Sequence, residues 1–158
     1  MGGCFHVNFN LASTGNNRSG DMLAWTAAQR VTRFDPMMDM ALASGHSCYP
    51  KFEQFLWEHW DYPKTQFPNP NTYCDWMMWN LGLYGKPNHI FIHEPIQKII
   101  DVCHGGGIPR GNGWYESIQF FNITKCTFNF TLGHYTSSGM SVIIVIRCKY
   151  GLPVAIQE

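Results

Sequence analysis

The surroundings of Lys86 suggest a residue that takes part in chemistry. It lies in the stretch Gly85 to Glu94, which reads G-K-P-N-H-I-F-I-H-E. A turn proline follows the lysine, and a β-rich segment then leads to Glu94-Pro95, which is a typical helix start. This order predicts that the ammonium of Lys86 is held over a β-sheet, where acid and base groups from other elements could reach it.

His59 is a candidate to meet that lysine. Phe52, Phe55, Leu56 and His59 are spaced i, i+3, i+4 and i+7, which places them on one face of a helix. An imidazole at the end of such a face is either a core histidine with one satisfied nitrogen or a group that transfers protons. Spacing alone favours the core interpretation.

His89 and His93 suggest a zinc site, because two histidines four residues apart on a helix can bind one ion. The segment between them alternates polar and apolar residues, however, which predicts a half-buried strand. In a strand the two side chains would share a face but lie roughly 13 Å apart, whereas zinc bonds are about 2 Å long. We therefore expect neither a metal site nor a cofactor.

The composition excludes several classes of protein. Of the 158 residues 45% are apolar and 14% are charged, and eleven Lys plus Arg balance eleven Asp plus Glu. A chain of this length forms one domain with a real core. Tight, sequence-blind binding to nucleic-acid phosphates requires a surplus of cations and is disfavoured. The longest apolar run, Val142 to Ile146, is far shorter than the roughly 20 residues of a membrane-spanning helix.

The chain divides near residue 48. Residues 1–48 mix Gly, Ser, Asn and Met without a sustained period, and we expect a poorly ordered extension that precedes a domain at 49–158. The first ten residues lack the basic start and apolar core of a secretory signal. They also fail the myristoylation pattern, because His6 stands where Ser or Thr is required.

From Pro50 onward the pattern predicts helices first and strands later. The helices are one that ends near His59, one from about Thr72 to Leu83, and one from Glu94-Pro95 to about Cys103. Besides 89–93, the predicted strands are 114–121, 123–132, 140–150 and 152–156. The glycine-rich segment 104–113 lacks the G-K-[ST] ending of a phosphate loop, so we expect a flexible turn. This order is typical of an α+β fold with segregated layers.

The cysteines point to disulfide bonds. Four of the six, Cys74, Cys103, Cys126 and Cys148, lie in the predicted domain and allow three connectivities. Closing a loop of about 50 residues stabilises a domain by about 4 kcal/mol in the chain-entropy model. N-x-[ST] sequons occur at three asparagines, Asn17, Asn122 and Asn129. Together, cysteines and sequons favour an oxidising, extracytoplasmic compartment.

Several separated motifs follow one another in a fixed order. They are F-L-x-x-H-x-D at Phe55 to Asp61, Y-C at Tyr73-Cys74, K-P-N-H-I-F-I-H-E at Lys86 to Glu94, the Cys103 to Cys126 interval, and C-K-Y-G-L-P-V at Cys148 to Val154. Together they resemble the pancreatic-type ribonuclease superfamily, and most of all its angiogenin branch. The resemblance spans about residues 49–158 in one register. It implies three helices on a bent antiparallel sheet.

The resemblance also implies how the cysteines pair. It predicts two disulfides, Cys74 to Cys126 and Cys103 to Cys148. The family's usual third bridge would join the positions that Gly85 and Gly133 occupy, so both of its halves are missing together.

The family cleaves RNA by attack of the ribose 2′-hydroxyl on the adjacent phosphate. One histidine acts as base, another as acid, and a lysine opposes the developing charge. The resemblance assigns the base to His59 and the lysine to Lys86. Ala155 occupies the position of the acid histidine, and its methyl group neither donates nor accepts a proton.

Further departures from the family pattern fall in the same cleft. Gln157 replaces the acidic partner of the missing histidine, Glu58 places a negative charge beside the base, and Ile90 replaces the threonine that reads the pyrimidine. A neutral segment, 79–82, replaces the basic run of angiogenins. One missing general acid costs about 10² to 10⁴ in rate. We therefore expect RNA cleavage to be lost or strongly reduced.

These observations predict a secreted protein that binds RNA weakly if at all and acts by binding a protein or glycan partner. Low charge and tryptophans expected to be exposed, Trp57, Trp60, Trp76, Trp79 and Trp114, support that reading. The alternative is an active endoribonuclease with a substitute acid, for which the resemblance offers His134. A third alternative is a decaying gene copy with no selected role.

Overall fold

The computed structural model describes residues 49–158, and the extension predicted for residues 1–48 lies outside that range. The described residues form helices α1 (Pro50–His59), α2 (Tyr73–Asn80) and α3 (Ile96–Asp101), a 3₁₀ turn (Pro70–Thr72), and strands β1 (Asn88–Ile92), β2 (Gly107–Gly111), β3 (Trp114–Ser117), β4 (Phe121–Asn129), β5 (His134–Val142), β6 (Val145–Lys149) and β7 (Leu152–Ile156). Within residues 49–158 no helix has the length and apolar character needed to cross a membrane.

The strands form two antiparallel sheets, in the orders β1-β4-β5 and β2-β3-β6-β7. The chain passes between the sheets at the turn from β5 to β6. There the backbone N–H of Ser117 donates to the oxygen of Ile144, and the Ser117 hydroxyl accepts from the Ile144 N–H. These bonds satisfy backbone groups at the bend. The predicted α+β fold, with three helices packed on bent antiparallel structure, is confirmed.

Helix α1 forms as the sequence pattern predicts. Pro50 begins it, where a missing N–H and a fixed φ suit the first turn. Phe52, Phe55, Leu56 and His59 are all buried on one face. Each of the three apolar side chains contributes about 1.5 to 3 kcal/mol by leaving water. The face thus anchors α1 and carries His59 inward at its end.

Strand β1 separates two hydrophobic clusters. Its alternate side chains point to opposite faces, so Ile90 and Ile92 join the cluster packed by α1 and α3, while Phe91 joins the cluster around α2. Trp60 also lies in the first cluster, with its indole N–H donating to the oxygen of Glu94 at 2.9 Å. The expectation that Trp60 is exposed is therefore wrong. Burial of the Trp60 side chain is favourable because its indole N–H has a hydrogen-bond partner.

Several predicted element boundaries are wrong. Helices α2 and α3 are shorter than expected, and α2 ends before Gly82, whose positive φ of 71° cannot continue a right-handed helix. The single strand predicted over 140–150 is two strands, because β5 ends at Val142 and β6 begins at Val145. The first six residues of β5 show little alternation of apolar and polar side chains, so the sequence pattern did not predict them as a strand.

The flexible turn predicted over 104–113 is also wrong, because Gly107–Gly111 forms β2 and pairs with β3. A Cβ atom on Gly107 would clash with the backbone oxygen of Val102 and lie 3.0 Å from the Cβ of Tyr115. Glycine is required here because the strand passes very close to the end of α3. The glycine therefore serves close packing of backbones.

Both disulfides implied by the resemblance are present. Cys74 of α2 pairs with Cys126 of β4, and Cys103, just after α3, pairs with Cys148 of β6. Each bridge fixes one helical segment to one of the two sheets.

Replacing Cys74 and Cys126 together by alanine should lower the free energy of unfolding by about 4 kcal/mol, from the chain-entropy cost of the released loop. The matched change at Cys103 and Cys148 should cost nearly as much, because the sequence separations are 52 and 45 residues. Urea unfolding of both double variants measures the loss. A loss below about 1 kcal/mol for either pair would contradict the chain-entropy account.

Candidate functional site

His59 meets the middle of β1 at the last position of α1. Its Nδ1 donates to the backbone oxygen of Ile90, 2.8 Å away. Because a carbonyl oxygen only accepts hydrogen bonds, this contact places a proton on Nδ1. The other ring nitrogen, Nε2, then carries a lone pair that can accept a proton. The sequence left open whether His59 is a core histidine or a proton-transfer group, and the structure shows a buried ring with one satisfied nitrogen.

The pKa of His59 is lowered from 6.5 to about 3, chiefly by burial. The charges of His89 and Lys86 also lower it, while the hydrogen bond to Ile90 and the charge of Glu158 act in the opposite direction. The imidazole is therefore neutral near neutral pH. Proton transfer is most efficient when a base has a pKa near the working pH, so His59 is available as a base but is a weak one.

Lys86 lies just before β1, and Tyr135 of β5 fixes its backbone. The Tyr135 hydroxyl donates to the backbone oxygen of Lys86 at 2.7 Å and accepts from the Gly85 N–H at 2.8 Å. The Tyr84 hydroxyl donates to the oxygen of Gly133 at 3.1 Å. Hydrogen bonds thus join the segments around Gly85 and Gly133, the two positions to which the resemblance assigns the family's third disulfide.

His89 is fully buried beside His59. The two imidazole rings stack with centroids 4.4 Å apart and planes 12° apart. Nε2 of His89 donates to the backbone oxygen of Glu58 at 2.7 Å. Its Nδ1 lies 3.2 Å from the Nζ of Lys86 and 3.0 Å from Oε1 of Glu158. When neutral, this nitrogen accepts from the ammonium, and when protonated it donates to the carboxylate.

Glu158 follows β7 and contacts both basic groups. Its Oε1 is 3.4 Å from the Nζ of Lys86, in addition to the contact with His89. Half-burial raises the pKa of Glu158, but the hydrogen bond from His89 and the charges of His89 and Lys86 outweigh it and lower the pKa overall. The side chain is therefore a carboxylate that faces the cleft in its ionised form.

The family resemblance predicts that Glu58 and Ile90 alter contacts with the substrate. The carboxylate of Glu58 accepts from Gln54 at 3.1 Å, and its second oxygen is 3.9 Å from Nε2 of His59. The Ile90 side chain is buried in the core, and only its backbone oxygen reaches the site. Ile90 therefore presents no hydroxyl or amide that could read a base.

Ala155 and Gln157 lie at the end of the chain's last strand. Ala155 pairs with Arg147 across β6 and β7, and the N–H of Gln157 donates to the oxygen of Val145. Helix α1 packs against β7, which brings this strand beside the helix that carries His59. Neither side chain contributes a group that titrates near neutral pH.

His59, His89 and Glu158 each bring one possible ligand atom within 4.8 Å of the others. Their geometry suits a metal ion poorly. Imidazole binds a metal in the plane of its ring, at about 2.0 to 2.1 Å, and two nearly parallel stacked rings do not direct their lone pairs to one point. The ammonium of Lys86 also contacts two of the three residues and would repel a cation.

His93 and His134 lie elsewhere. Nδ1 of His93 donates to the backbone oxygen of Asp61, and its Nε2 accepts from the Thr124 hydroxyl, both at 2.8 Å. His134 begins β5 opposite Asn129 and is exposed. Its only side-chain hydrogen bond among the described residues is to the backbone oxygen of Tyr135. The structure therefore gives no support to His134 as a substitute acid.

Sequence reasoning missed two residues of the site, His89 and Glu158. His89 was weighed only as a partner of His93, although it directly precedes Ile90 in β1. Glu158 contacts Lys86 across 72 positions of sequence. The one local signal for Glu158 is its place three residues after Ala155, close to the end of β7.

Comparison with known proteins identifies relatives over the described range. Residues 50–157 match the family model for pancreatic ribonuclease. A ribonuclease from Chelonia mydas is 32% identical over 111 residues, which cover 66% of this chain and 93% of the turtle protein. Angiogenin from Oryctolagus cuniculus is 30% identical over 115 residues, which cover 68% of this chain and 76% of the angiogenin. These identities do not separate the angiogenin branch from the ribonucleases.

The fold is similar to that of a solved relative. The crystal structure of green turtle egg white ribonuclease matches with a TM-score of 0.64 and 31% identity, over 68% of this chain and 97% of the turtle chain.

The shifted pKa of His59 predicts how stability depends on pH. Between pH 6.5 and about 3 the unfolded chain binds a proton at His59 that the folded chain does not. This contribution to stability is fully present above the unfolded pKa and is lost as pH falls toward the folded pKa. Its slope reaches about 1.4 kcal/mol per pH unit.

Urea unfolding of the wild type and of His59→Asn across that pH range tests this prediction. Asparagine keeps an N–H for the Ile90 oxygen but does not titrate. The free energy of unfolding of the wild type should fall more steeply with acid. Parallel curves for the two proteins would show that His59 is not buried as a neutral ring.

Proposed function

This chain belongs to the pancreatic ribonuclease superfamily, and we propose that it is a secreted member in which RNA cleavage is lost or strongly reduced and whose role is to bind a partner. Its relatives include proteins named ribonuclease and angiogenin. The observation that carries the proposal is Ala155 on β7, at the position that the family resemblance assigns to the general acid.

Transphosphorylation requires a proton donor opposite the base. The attacking and leaving oxygens lie roughly in line at phosphorus, so a base on one side needs an acid on the other. His59 holds the place of the base at the end of α1, while β7 offers only the methyl group of Ala155. An unprotonated 5′-alkoxide is a poor leaving group. Protonation of the leaving 5′-oxygen therefore has no donor on β7.

The surviving groups are also poorly adjusted to the reaction. A histidine with a pKa of about 3 takes a proton from a hydroxyl with little driving force. The ammonium of Lys86 is already paired with a carboxylate of the same chain. The zero net charge gives little general attraction for RNA. Weak RNA binding is the expected result.

A binding role is supported by an aromatic surface, which we define as Trp79, Tyr84, Phe128 and Phe130. Their rings contact one another in sequence at centroid distances of 5.6, 5.8 and 5.0 Å. Trp79 is 68% exposed and Phe130 is 75% exposed. Aromatic side chains are enriched at interfaces and stack on ligands. This surface is suited to a protein or glycan partner.

Secretion is supported by the two disulfides, which persist in oxidising compartments. Two sequons lie within the described residues. Asn122 is exposed on β4, and Asn129 is at the end of β4, where its side-chain oxygen accepts from the backbone N–H groups of Thr131 and Leu132. We propose both as N-glycosylation sites.

Cleavage of a cytidine-containing dinucleotide by the full chain tests the loss of activity. The wild type should show no cleavage that His59→Ala removes. Ala155→His should raise the rate at least about tenfold, because a positioned general acid contributes about 10² to 10⁴. The gain should disappear when His59→Ala is added.

Cleavage by the wild type at a rate that His59→Ala abolishes would overturn the proposal. If Ala155→His gives no gain in rate, the proposed loss of RNA cleavage stands, and its cause lies also in Glu58, Gln157 and Ile90.

A second candidate function is an active endoribonuclease in which His89 serves as the acid. The observation in its favour is a second imidazole within reach of Lys86 and His59. The stacking of the two rings places His89 on the side of the base, however, while the leaving oxygen lies on the opposite side. The geometry therefore favours loss of cleavage.

His89→Asn separates the two candidates. Under the first, dinucleotide cleavage stays undetectable in the wild type and in the variant. Under the second, the wild type cleaves, and His89→Asn lowers the rate by about 10² or more, as expected for a lost general acid. His134→Asn is the matched control, and it should change neither rate nor folding.

A further inference from the structure

Within residues 49–158, the edge strand β5 is left partly open, whereas the other sheet edges are protected. An edge strand presents backbone N–H and C=O groups that a foreign strand could bind. Strand β1 is protected because the end of α1 and the chain just after it donate hydrogen bonds to the backbone oxygens of Ile90 and Ile92. Strand β2 contains Pro109 and has an irregular register. Strand β7 contains Pro153 and packs against α1.

Strand β5 lacks the features that normally protect an edge. His134–Val142 contains no proline and no Lys, Arg, Asp or Glu. It pairs with β4 along its whole length without a shift in register, so it contains no bulge. Charge, proline and bulges are the features that keep two edges from pairing. The residues from Ser138 to Ser141 are all exposed. This end of β5 is therefore able to accept another strand.

The hydrogen bonds of β5 show which backbone groups point away from β4. The N–H of Tyr135 donates to a side-chain oxygen of Asp75 in α2 at 2.8 Å, so the backbone of Tyr135 faces outward. Backbone direction alternates along an antiparallel strand, so Ser137, Gly139 and Ser141 face outward as well. The Ser137 hydroxyl accepts from a backbone N–H of α2. Helix α2 thus covers the first half of this edge and leaves the second half open.

The open half of the edge combines unbonded backbone groups with an exposed apolar side chain. Within residues 49–158, the outward N–H and C=O groups of Gly139 and Ser141 have no protein partner. A Cβ atom built on Gly139 would meet no other atom within 4 Å. Met140 lies between them and is 38% exposed. Its side chain shares one face of the sheet with Val142, because side chains alternate along a strand.

We propose that two copies of this chain pair antiparallel along β5, with Met140 of one copy opposite Met140 of the other. Gly139 of each copy then lies opposite Ser141 of the second copy, and each such pair exchanges two N–H···O=C bonds. The two Met140 residues form a non-hydrogen-bonded pair, in which side chains are closest. The arrangement is two-fold symmetric, which is the commonest symmetry of soluble oligomers.

A second copy is the occupant that the strand fits best. Because β5 contains no Lys, Arg, Asp or Glu, it meets itself without like charges opposite each other. Met140 finds an apolar partner, and the small Ser138 lies opposite the larger Val142. A glycan on Asn122 leaves this face clear, because Asn122 pairs with Ser141 and projects from the other face. The open stretch is short, so the expected dimer is weak.

The proposal goes beyond the loss of RNA cleavage and beyond the aromatic surface, and it depends on neither. It rests on the edge of β5, whereas the loss of cleavage rests on Ala155 of β7. A dimer that cleaves RNA would leave this proposal intact and overturn the loss of activity.

Sedimentation velocity of the full chain, over protein concentrations up to the millimolar range, tests the proposal. The average sedimentation coefficient should rise with concentration. Met140→Lys should raise the dissociation constant of the dimer about tenfold or more, because it places like charges opposite each other and removes the central apolar contact. Ser141→Pro is a second variant and should also raise it, because proline removes an outward N–H that β4 does not use.

Thr136→Lys is the matched control. Thr136 lies on the same strand and the same face as Met140, but in the half that α2 covers. It adds the same charge, yet the dissociation constant should stay within about twofold of the wild type. Phe130→Ser tests association through the aromatic surface and should also leave the constant unchanged. A wild type that stays monomeric throughout, or a dimer that Phe130→Ser weakens and Met140→Lys does not, would overturn the proposal.

Amide hydrogen exchange locates the contact on the strand. The N–H groups of Gly139 and Ser141 should exchange more slowly as the protein concentration rises, because each gains a hydrogen-bond partner. The N–H of Tyr135 already donates to Asp75 and should show no such change. If the protein associates but exchange at Gly139 and Ser141 does not depend on concentration, the interface lies elsewhere and the proposal is wrong.

Discussion

The hydrogen bond from Nδ1 of His59 to the backbone oxygen of Ile90 is the contact on which the site depends. It joins the end of α1 to the centre of β1, fixes which ring nitrogen carries the proton, and sets the imidazole against its neighbour in the strand. A buried ring without that acceptor would leave an unsatisfied donor, which costs about 1 to 3 kcal/mol. The bond therefore serves folding and chemistry together.

Strand β1 brings a second imidazole, that of His89, against His59. Because side chains alternate along a strand, Ile90 and Phe91 enter different hydrophobic clusters, and the backbone between them cannot shift without disturbing both. His89 is the residue before Ile90, so its ring is brought onto His59 as a consequence of register. Rigid packing on both faces explains how two imidazoles stay stacked at 4.4 Å.

What the sequence predicts, and what it does not, follows the range of each interaction. The stripe of α1 depends on neighbours within a few residues, so His59 was placed correctly by its spacing. Family motifs supplied both disulfides, because paired cysteines leave a signal at each end. Glu158 and Lys86 are far apart in sequence, and neither residue carries a mark of the other. Gly107 suggested flexibility, since its close neighbours Val102 and Tyr115 are recognisable only in three dimensions.

Ala155 and Glu158 both bear on the charge balance of the cleft. A site that binds an anionic substrate holds positive groups in a partly buried cleft, and that arrangement costs folding energy while the substrate is absent. Ala155 gives β7 a neutral side chain, and Glu158, three residues later, supplies a negative charge beside Lys86 and His89. Both features keep the uncompensated positive charge of the cleft low, which favours the stability of the folded protein. Stability gained in this way commonly trades against activity.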